Sequence, residues 1–510
     1  MHANKFGVAL IAILLSGSSI LRAQSYVESA LQFSRTHPVG SARIQGIGGA
    51  QIALGGDYSS AASNPAGLGM YNRSEFAISP GFNSFNTSSD YFGQNKKQSG
   101  SKLTLPGLSL VFNIPNERNK ESGYVGGAIA ISMVRTNDFN RSISYQGTNP
   151  NTSIIDSFID QANGATKEDQ FDSNGWNYNT PTGLAYYNFL IGPESDYAPN
   201  GSTTDYFTFA HKIPTQLENI ETSGGTSQWN FAYGGNYKDI LFFGAGVGIS
   251  SLRYKSTKMY SETFDDPDTL NSLHLTENLS IRGSGINASL GATVRPVKFL
   301  QVGISYTTPT YYSLSENYDA QMYTDWGGLD YFGDGKTILG NNKSDPAVTD
   351  QVISDYSLTI PSKFNVGVAF LSKYGFITGD IELSNIANAK YKSTQNQNLD
   401  FSGDNSDIKT IYKRAVSYRV GAEFRYNMFR LRAGYGVQGN ALASSMNFNN
   451  QIQTISGGLG IKRSKFFVDF AMSNSTTKSF YNPYYLGDVT PTVDMKHSYL
   501  TSTVTLGFTF

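Results

Sequence analysis

The chain ends in LTSTVTLGFTF, from Leu500 to Phe510, and the side chains of this stretch alternate in polarity. One face carries Val504, Leu506, Phe508 and Phe510, and the other carries Thr501, Thr503, Thr505, Gly507 and Thr509. Successive side chains of a β-strand point to opposite faces. A strand that is apolar on one face and hydroxyl-rich on the other predicts a wall with lipid outside and water or a plug inside. A last strand that stops on an aromatic residue is typical of outer-membrane β-barrels.

The N-terminal residues predict export. Lys5 precedes an apolar run at 6–15, and small residues lead up to Ala23. We therefore expect Met1 to Ala23 to be a cleaved signal peptide, with Gln24 as the first mature residue. The apolar run is too short to span a bilayer as a helix. The expected location is the cell outer membrane.

Composition agrees with a barrel. Charged residues make up 15% of the chain, against roughly 25% in soluble domains. Aromatic residues reach 13%, as expected for aromatic girdles at two membrane interfaces, although a secreted β-sandwich shares the alternation. The absence of cysteine excludes disulfides and thiolate chemistry. A net charge of -1 gives no broad attraction to nucleic acid, so no nucleic-acid partner is expected.

From residue 226 onward the chain repeats a strand, a short turn, a second strand and a long polar connection. The short turns lie at 237–239, 296–298, 372–375, 427–429 and 463–465. The long connections lie at 255–278, 313–355, 392–411, 442–451 and 475–494. Membrane barrels sort their loops in this way, with short turns on the periplasmic side.

Strand counting predicts the fold class. Eleven alternating strands follow residue 226, and three more fit near 74–86, 102–114 and 123–145. The sum predicts an all-β, transmembrane antiparallel β-barrel of about 14 strands, an even number as bacterial barrels require. Pro80 and Pro106 would each remove a backbone donor from the upstream strands.

Residues 24–73 do not follow the strand pattern. A short helix is predicted at 27–33, and Gly-Ala-Ser-rich stretches follow it. Such small side chains cannot build a core alone, but they can pack closely against backbone inside a barrel. We therefore divide the chain into a signal peptide (1–23), an N-terminal hatch or plug (24–73) and the barrel (74–510).

The hatch ends in Asn64-Pro65-Ala66, directly before the first predicted strand. This tripeptide resembles the hatch motif of the FadL/TodX family of outer-membrane transporters for long-chain fatty acids and hydrophobic compounds. Further short matches follow in family order at 285–291, 300–309, 360–369, 379–383, 431–435 and 466–470. The resemblance implies a fourteen-stranded barrel plugged by a hatch, and passive uptake of hydrophobic small molecules bound between wall and hatch. Loops 146–225 and 313–355 do not resemble family loops.

Two groups of inward-facing residues are candidates for contacts with the hatch or ligand. Gly244, Gly246 and Gly248 share one strand face, where missing side chains leave room, or where glycine eases curvature. The inward charges are Asp380, Glu382, Arg419, Glu423, Arg425, Arg430, Arg432 and Asp469. Mixed signs suggest that they neutralise one another and anchor the hatch. The alternative is that an arginine among them binds a substrate carboxylate through two hydrogen bonds.

Two further features bear on transport. A lateral exit needs a local break in strand pairing, and Gly126-Gly127 in strand 123–145 is the candidate. Residues 154–162 carry an apolar stripe at helical spacing within a long loop. The stripe is more consistent with packing on the loop or barrel rim than with a docking groove for lipid.

The mature chain has no Gly-x-Ser-x-Gly elbow, zinc helix or Walker loop, so no enzyme activity, catalytic residue, metal or cofactor is predicted. The expected partners are a hydrophobic small-molecule ligand and outer-membrane lipid. The first hypothesis is passive uptake of long-chain fatty acids or related amphiphiles. The alternative is a hatch-plugged barrel of the same superfamily that docks a protein partner in a secretion or surface-assembly machine.

Overall fold

Fourteen antiparallel strands, each paired with its neighbours in chain order, form a closed barrel in the computed structural model. The structure describes residues 26–37, 40–116, 123–168, 179–198, 200–210, 213–265, 269–340, 347–394, 397 and 399–510. The predicted signal peptide, Met1 to Ala23, lies outside the described residues. The predicted fold class and strand number are confirmed.

Eleven of the strands are continuous: β1 Glu75–Tyr91, β2 Gln94–Pro115, β4 Pro214–Tyr237, β5 Leu241–Phe264, β6 Leu270–Val297, β9 Gly375–Asn385, β10 Arg414–Tyr426, β11 Phe429–Gln438, β12 Ile452–Lys462, β13 Phe466–Tyr481 and β14 Val493–Thr509. Three are broken into two segments: β3 Tyr124–Asp138 and Arg141–Thr148, β7 Leu300–Thr307 and Thr310–Asp330, and β8 Val352–Ile360 and Lys363–Ser372. Pro309 and Pro361 stand at the breaks in β7 and β8, where a proline has no N–H to donate.

The helices lie at the N-terminus and in the loops. The described α-helices are α1 Tyr26–Ser34, α2 Ala42–Gln45, α3 Ser60–Ser63, α4 Ile154–Ala162, α5 Pro181–Tyr187 and α6 Ser402–Ile411, and a 3-10 turn at Pro65–Met70 is among several short ones. Among the described residues, no helix is both long and apolar enough to cross a membrane.

The barrel closes between its first and last strands. Glu75 lies opposite Thr509, and this register continues to Asp90 opposite Asp494. Ser74 and Phe510 exchange two backbone hydrogen bonds at the end of this seam, of 3.1 and 3.0 Å. The C-terminal strand therefore completes the wall.

The five predicted tight turns all connect strands, but the strands on the opposite side are longer than predicted. Stretches 255–278 and 313–355 are expected to be polar loops, yet β5 continues to Phe264, β6 begins at Leu270 and β7 continues to Asp330. β6 has 28 residues, whereas about 9–11 suffice to cross a bilayer. The strands therefore extend well beyond the membrane on the long-loop side.

The polarity of the two faces is inverted along each long strand, as β6 shows. Near the tight turn, Leu290 and other apolar residues face outward, while Thr293 faces inward. Further along, Leu273, Leu275 and Leu279 face inward, while His274 and Arg282 are exposed outside. The parity does not change between these positions, because the inward residues from Leu273 to Thr293 are odd-numbered. The outer half is therefore a water-exposed wall with an apolar interior.

An apolar outward belt surrounds the half of the barrel near the tight turns. It includes Phe112, Phe231, Phe243, Leu290, Val302, Phe370, Ile377, Phe424, Leu431, Leu459, Phe470 and Phe508, all exposed. A continuous exposed apolar band of this kind fits the hydrocarbon core of a bilayer. We call this half of the barrel the membrane half and the other the outer half.

Candidate functional site: the plugged lumen

The hatch fills the membrane half of the lumen. Asn64 is fully buried, and its Nδ2 donates to the carbonyl of Ile52, at 2.6 Å, and to Oγ1 of Thr293 on β6, at 3.1 Å. Its Oδ1 accepts the N–H of Ala66, at 3.2 Å, which caps the 3-10 turn begun by Pro65. The Asn-Pro-Ala motif thus connects two parts of the hatch to the wall.

Wall glycines face the hatch at close range. A Cβ on Gly244 would lie 2.4 Å from the carbonyl carbon of Pro65, and a Cβ on Gly434 would lie 2.2 Å from the nitrogen of Gly48. Gly246 and Gly248 differ, since their nearest neighbours are wall side chains such as Ala232 and Gln228. Of the three predicted lumen glycines, Gly244 alone has the hatch among its nearest neighbours.

Asp380 on β9 holds the hatch backbone. Its Oδ2 accepts the N–H groups of Gln51 and Ile52, at 2.6 and 2.9 Å. A carboxylate that accepts two amides makes strong, directional bonds in a buried setting. The neighbouring Glu382 pairs instead with Arg419 across the wall, at 3.1 Å.

A second charged cluster is centred on Glu423 and Arg432. Arg432 donates Nε to Glu423, at 2.7 Å, and Nη1 to Asp469, at 2.6 Å. Arg425 donates to Glu423 at 2.6 Å, and Arg43 of the hatch lies 4.0 Å from the same carboxylate. The charges largely neutralise one another, and Arg43 extends the network into the hatch.

Arg430 does not join this cluster. Its guanidinium donates to the backbone carbonyls of Asn427 and Phe429, at 2.7 and 2.8 Å, in the turn between β10 and β11. Seven of the eight predicted lumen charges therefore lie in two interior groups, and Arg430 lies at the rim.

A small cavity remains between wall and hatch. It is lined by Thr36, His37, Gly48, Arg419, Gly436, Val437, Gln438, Ile452 and Thr454, and has room for one or two water molecules. Arg419 is therefore the one predicted charge that borders open space here.

The outer half of the lumen contains helix α1 within an apolar core. Tyr26 lies in an aromatic cage, with ring centroids 5.3 Å from Tyr356, 5.1 Å from Tyr391 and 5.0 Å from Phe401. The hydroxyl of Tyr356 donates to the buried Glu316, at 2.9 Å. The chamber around α1 combines aliphatic surface with tyrosine hydroxyls.

The loop helix α4 is observed with the predicted bounds 154–162 and packs on this core. Ile155 and Phe158 are buried with residues of α1. Glu262 of β5 accepts the N–H of Ile154, at 2.9 Å, and the hydroxyl of Ser153. The apolar stripe therefore faces the protein and closes the outer half, as the packing interpretation predicts.

The wall is open between β2 and β3. The two strands pair from Gly107 opposite Val134 to Pro115 opposite Gly126, and beyond this β2 pairs with β1 alone in the described part of the chain. The second segment of β3 lies close to both β1 and β2 but pairs with neither, and Tyr145 packs on Tyr91 of β1, with 4.8 Å between ring centroids. Leu103 on the free edge is 81% exposed.

This gap is not at Gly126 and Gly127, where the sequence predicts it. Both glycines pair with β2 and with β4. A Cβ on Gly126 would lie 2.6 Å from the carbonyl oxygen of Ile114, and one on Gly127 would lie 2.5 Å from that of Gly234. Here glycine permits close strand approach, and both pairings include the two glycines although the register against β4 shifts at Val125; the break in β3 falls at Phe139–Asn140.

The sequence pattern does not identify several residues that join hatch and wall. The amides of Gln51 and Ile52 are backbone groups, which any residue would supply. Arg43 stands outside the strand periodicity that identified the other charges. No three His, Asp or Glu side chains within the described ranges are grouped to hold a metal ion.

Known structures share this fold. The toluene transporter TodX of Pseudomonas putida matches with a TM-score of 0.50 at 12% identity, covering 94% of this chain and 100% of that chain. A FadL homologue of Pseudomonas aeruginosa matches with a TM-score of 0.52 at 13% identity, covering 92% and 99%. Neither a protein-family model nor a curated protein sequence matches the chain. The predicted resemblance to the FadL/TodX family is confirmed for the fold.

Proposed function

From a barrel with the FadL/TodX fold, we propose that this chain is an outer-membrane channel for passive uptake of hydrophobic small molecules, and that long-chain fatty acids or related amphiphiles are its ligands. The observation that carries the proposal is the contrast within one lumen. The outer half has an apolar interior that would receive solute, and a bonded hatch blocks the direct path below it.

Because the hatch blocks the straight path, the solute needs a side exit. The gap between β2 and β3 begins where the paired part of these strands ends, next to the exposed Leu103 and Leu105. A hydrophobic solute in the chamber would pass through this gap into the membrane without crossing water. The proposed lateral exit lies in the predicted strand, at its break rather than at its glycine pair.

An amphiphilic ligand suits the polarity of the interior. Its chain would lie among the side chains around α1, where burial of apolar area favours binding by about 25 cal/mol per Å². Its polar end would lie toward the cavity between wall and hatch that Arg419 borders. The wall charges Asp380, Glu423 and Arg432 would act as anchors, since they are bonded to the hatch or to one another.

Uptake by a deletion strain tests the proposal. The strain, complemented with the chain, is given labelled long-chain fatty acids and, separately, labelled toluene. Complementation is expected to restore fatty-acid uptake, and acyl chains are expected in the mass spectrum of the purified barrel. Unchanged uptake of every solute, with a stoichiometric protein partner in a native-detergent pull-down, would favour the docking role instead.

The absence of cysteine allows a sharper test of the exit. Ser101→Cys on β2 and Ser142→Cys on β3 place two thiols on either side of the gap, and a reducible linker can join them. Uptake is expected to fall on cross-linking and to recover on reduction. A matched pair at Ser227 and Ser251, on the continuously paired β4 and β5, should leave uptake unchanged.

A further inference from the structure

The broken end of β3 is bonded to helix α1. Asn137 is 6% exposed, and its Nδ2 donates to the carbonyls of Gln32 and Arg35, at 2.8 and 2.7 Å. Its Oδ1 accepts the N–H of Asp138, at 2.9 Å. One side chain thus bonds two carbonyls at the C-terminal end of α1, where a helix needs donors from outside itself.

Two neighbouring contacts join the same pair of elements. The register of β3 against β4 shifts at Thr136, and the carbonyl of this bulge residue accepts the N–H of His37, at 3.1 Å. Phe33 of α1 packs on Phe139 at the break, with 5.4 Å between ring centroids. Polar and aromatic contacts from one helix therefore converge on the residues where the wall opens; we call them the α1–β3 contact.

The N-terminal end of α1 is bound to a different part of the barrel. Tyr26 occupies the aromatic cage at β8, and the hydroxyl of Tyr412 donates to the carbonyl of Val27, at 2.9 Å. The helix therefore crosses the ligand chamber from β8 to the break in β3. A ligand that enters this chamber must pack beside α1 or displace it.

We infer that Asn137 is the positioning residue of the lateral exit: by bonding α1 it prevents the second segment of β3 from pairing with β2, so that the position of α1 sets the width of the gap. This inference rests on the proposed function only for the exit's role in uptake. Without the α1–β3 contact, the freed backbone of β3 has unpaired groups beside the unpaired edge of β2. Such edges pair when nothing holds them apart.

The test measures the gap directly in the full-length barrel, in detergent and without ligand. Spin labels on Ser101→Cys and Ser142→Cys report the distance between β2 and β3. Asn137→Ala is expected to shift the label distance to shorter values, and Phe33→Ala to shift it in the same direction. Asn365→Ala is the matched control, because this buried wall asparagine bonds Ser305, at 3.2 Å, and not α1.

The measured label distances either support or overturn the proposed role of Asn137. A label distance in Asn137→Ala equal to or longer than that in Asn365→Ala would overturn it. If heat-modified gel mobility shows that Asn137→Ala does not assemble, Asn137→Asp keeps the side-chain size, lacks both N–H donors and is read by the same criterion. Because no ligand is present, failure here is distinct from failure of the transport proposal, which only uptake measures.

Discussion

The two halves of the lumen are lined by the same strands but hold their contents by different forces. In the membrane half, Asp380 and Asn64 join hatch and wall, and Arg432 bonds two wall carboxylates, all through short, directional hydrogen bonds. In the outer half, α1 lies mainly among leucine, isoleucine and tyrosine side chains. Directional bonds specify one position, whereas apolar contacts can be exchanged for those of another apolar molecule.

The difference shows which contents of the lumen can move at a low cost in free energy. Breaking a buried ion pair leaves an uncompensated charge, so the hatch is expected to stay in place. Replacing one apolar neighbour by another costs little if the volume is kept. A hydrophobic ligand can therefore compete for space around α1 but not around the wall charges that border the hatch.

The largest effect is expected in the membrane half. Arg432→Ala leaves Glu423 and Asp469 buried without their main partner, and should lower the free energy of unfolding by about 3–5 kcal/mol. Thermal unfolding in detergent, followed by heat-modified gel mobility, measures this. Arg430→Ala, two residues away at the rim, should change it by no more than about 0.5 kcal/mol. Equal losses in the two variants would remove the special role of the interior cluster.

The polarity inversion on β6 predicts that the two halves of its outward face differ in their tolerance of a charged side chain. Leu290→Arg puts a charge into the membrane belt and should destabilise the barrel by about 2–4 kcal/mol. His274→Arg, on the same outward face of the outer half, should be close to neutral. Unfolding in lipid vesicles gives both values; a neutral Leu290→Arg would mean that the belt does not meet hydrocarbon.

The next prediction concerns the close approach of the hatch backbone to glycines of the wall. Gly434→Ala should cost about 1–3 kcal/mol, because its Cβ would overlap the backbone of Ile47 and Gly48. Gly379→Ala is the control, since the nearest atom to its Cβ lies at 3.7 Å, an ordinary contact. Thermal melts of the two variants separate a need for space from a general need for glycine. Indistinguishable melts would point to strand curvature as the reason for both glycines.

The smallest effect is expected in the outer half. Tyr356→Phe removes the hydroxyl bonded to Glu316 but keeps the aromatic cage around Tyr26, and should cost about 1 kcal/mol. Denaturant midpoints of wild type and variant measure the loss. A loss as large as that of Arg432→Ala would show that the outer half also depends on buried polar bonds, and the proposed contrast would fail.

The sequence predicted the wall better than its contents. Strand number and tight turns follow from period-two alternation and from turn residues such as those at 237–239, which are local signals. The outer parts of β5, β6 and β7 were missed because the apolar face turns inward there, so the same alternation looks like a polar loop with scattered leucines. Local patterns cannot show this, since inside and outside are exchanged without a change of period.

The site was partly predictable for a similar reason. Asn64, Asp380 and Arg432 stand out as polar residues in a motif or on inward registers. Asn137 carries no such mark, because its partners are carbonyls of a helix more than a hundred residues away in the chain. The gap was misplaced because glycine indicates close backbone approach as readily as a break.

The seam between β1 and β14 has a consequence for assembly. The hatch bonds the last strand directly: the N–H of Ala42 donates to Oγ1 of Thr505, at 2.7 Å, and Thr503 donates to Gln45, at 2.8 Å. The N-terminal plug thus depends on the strand that closes the barrel, and it cannot reach its final bonds until the cylinder is completed. Biogenesis must keep this segment enclosed while the ends of the sheet join, so closing the wall and sealing the pore form one event.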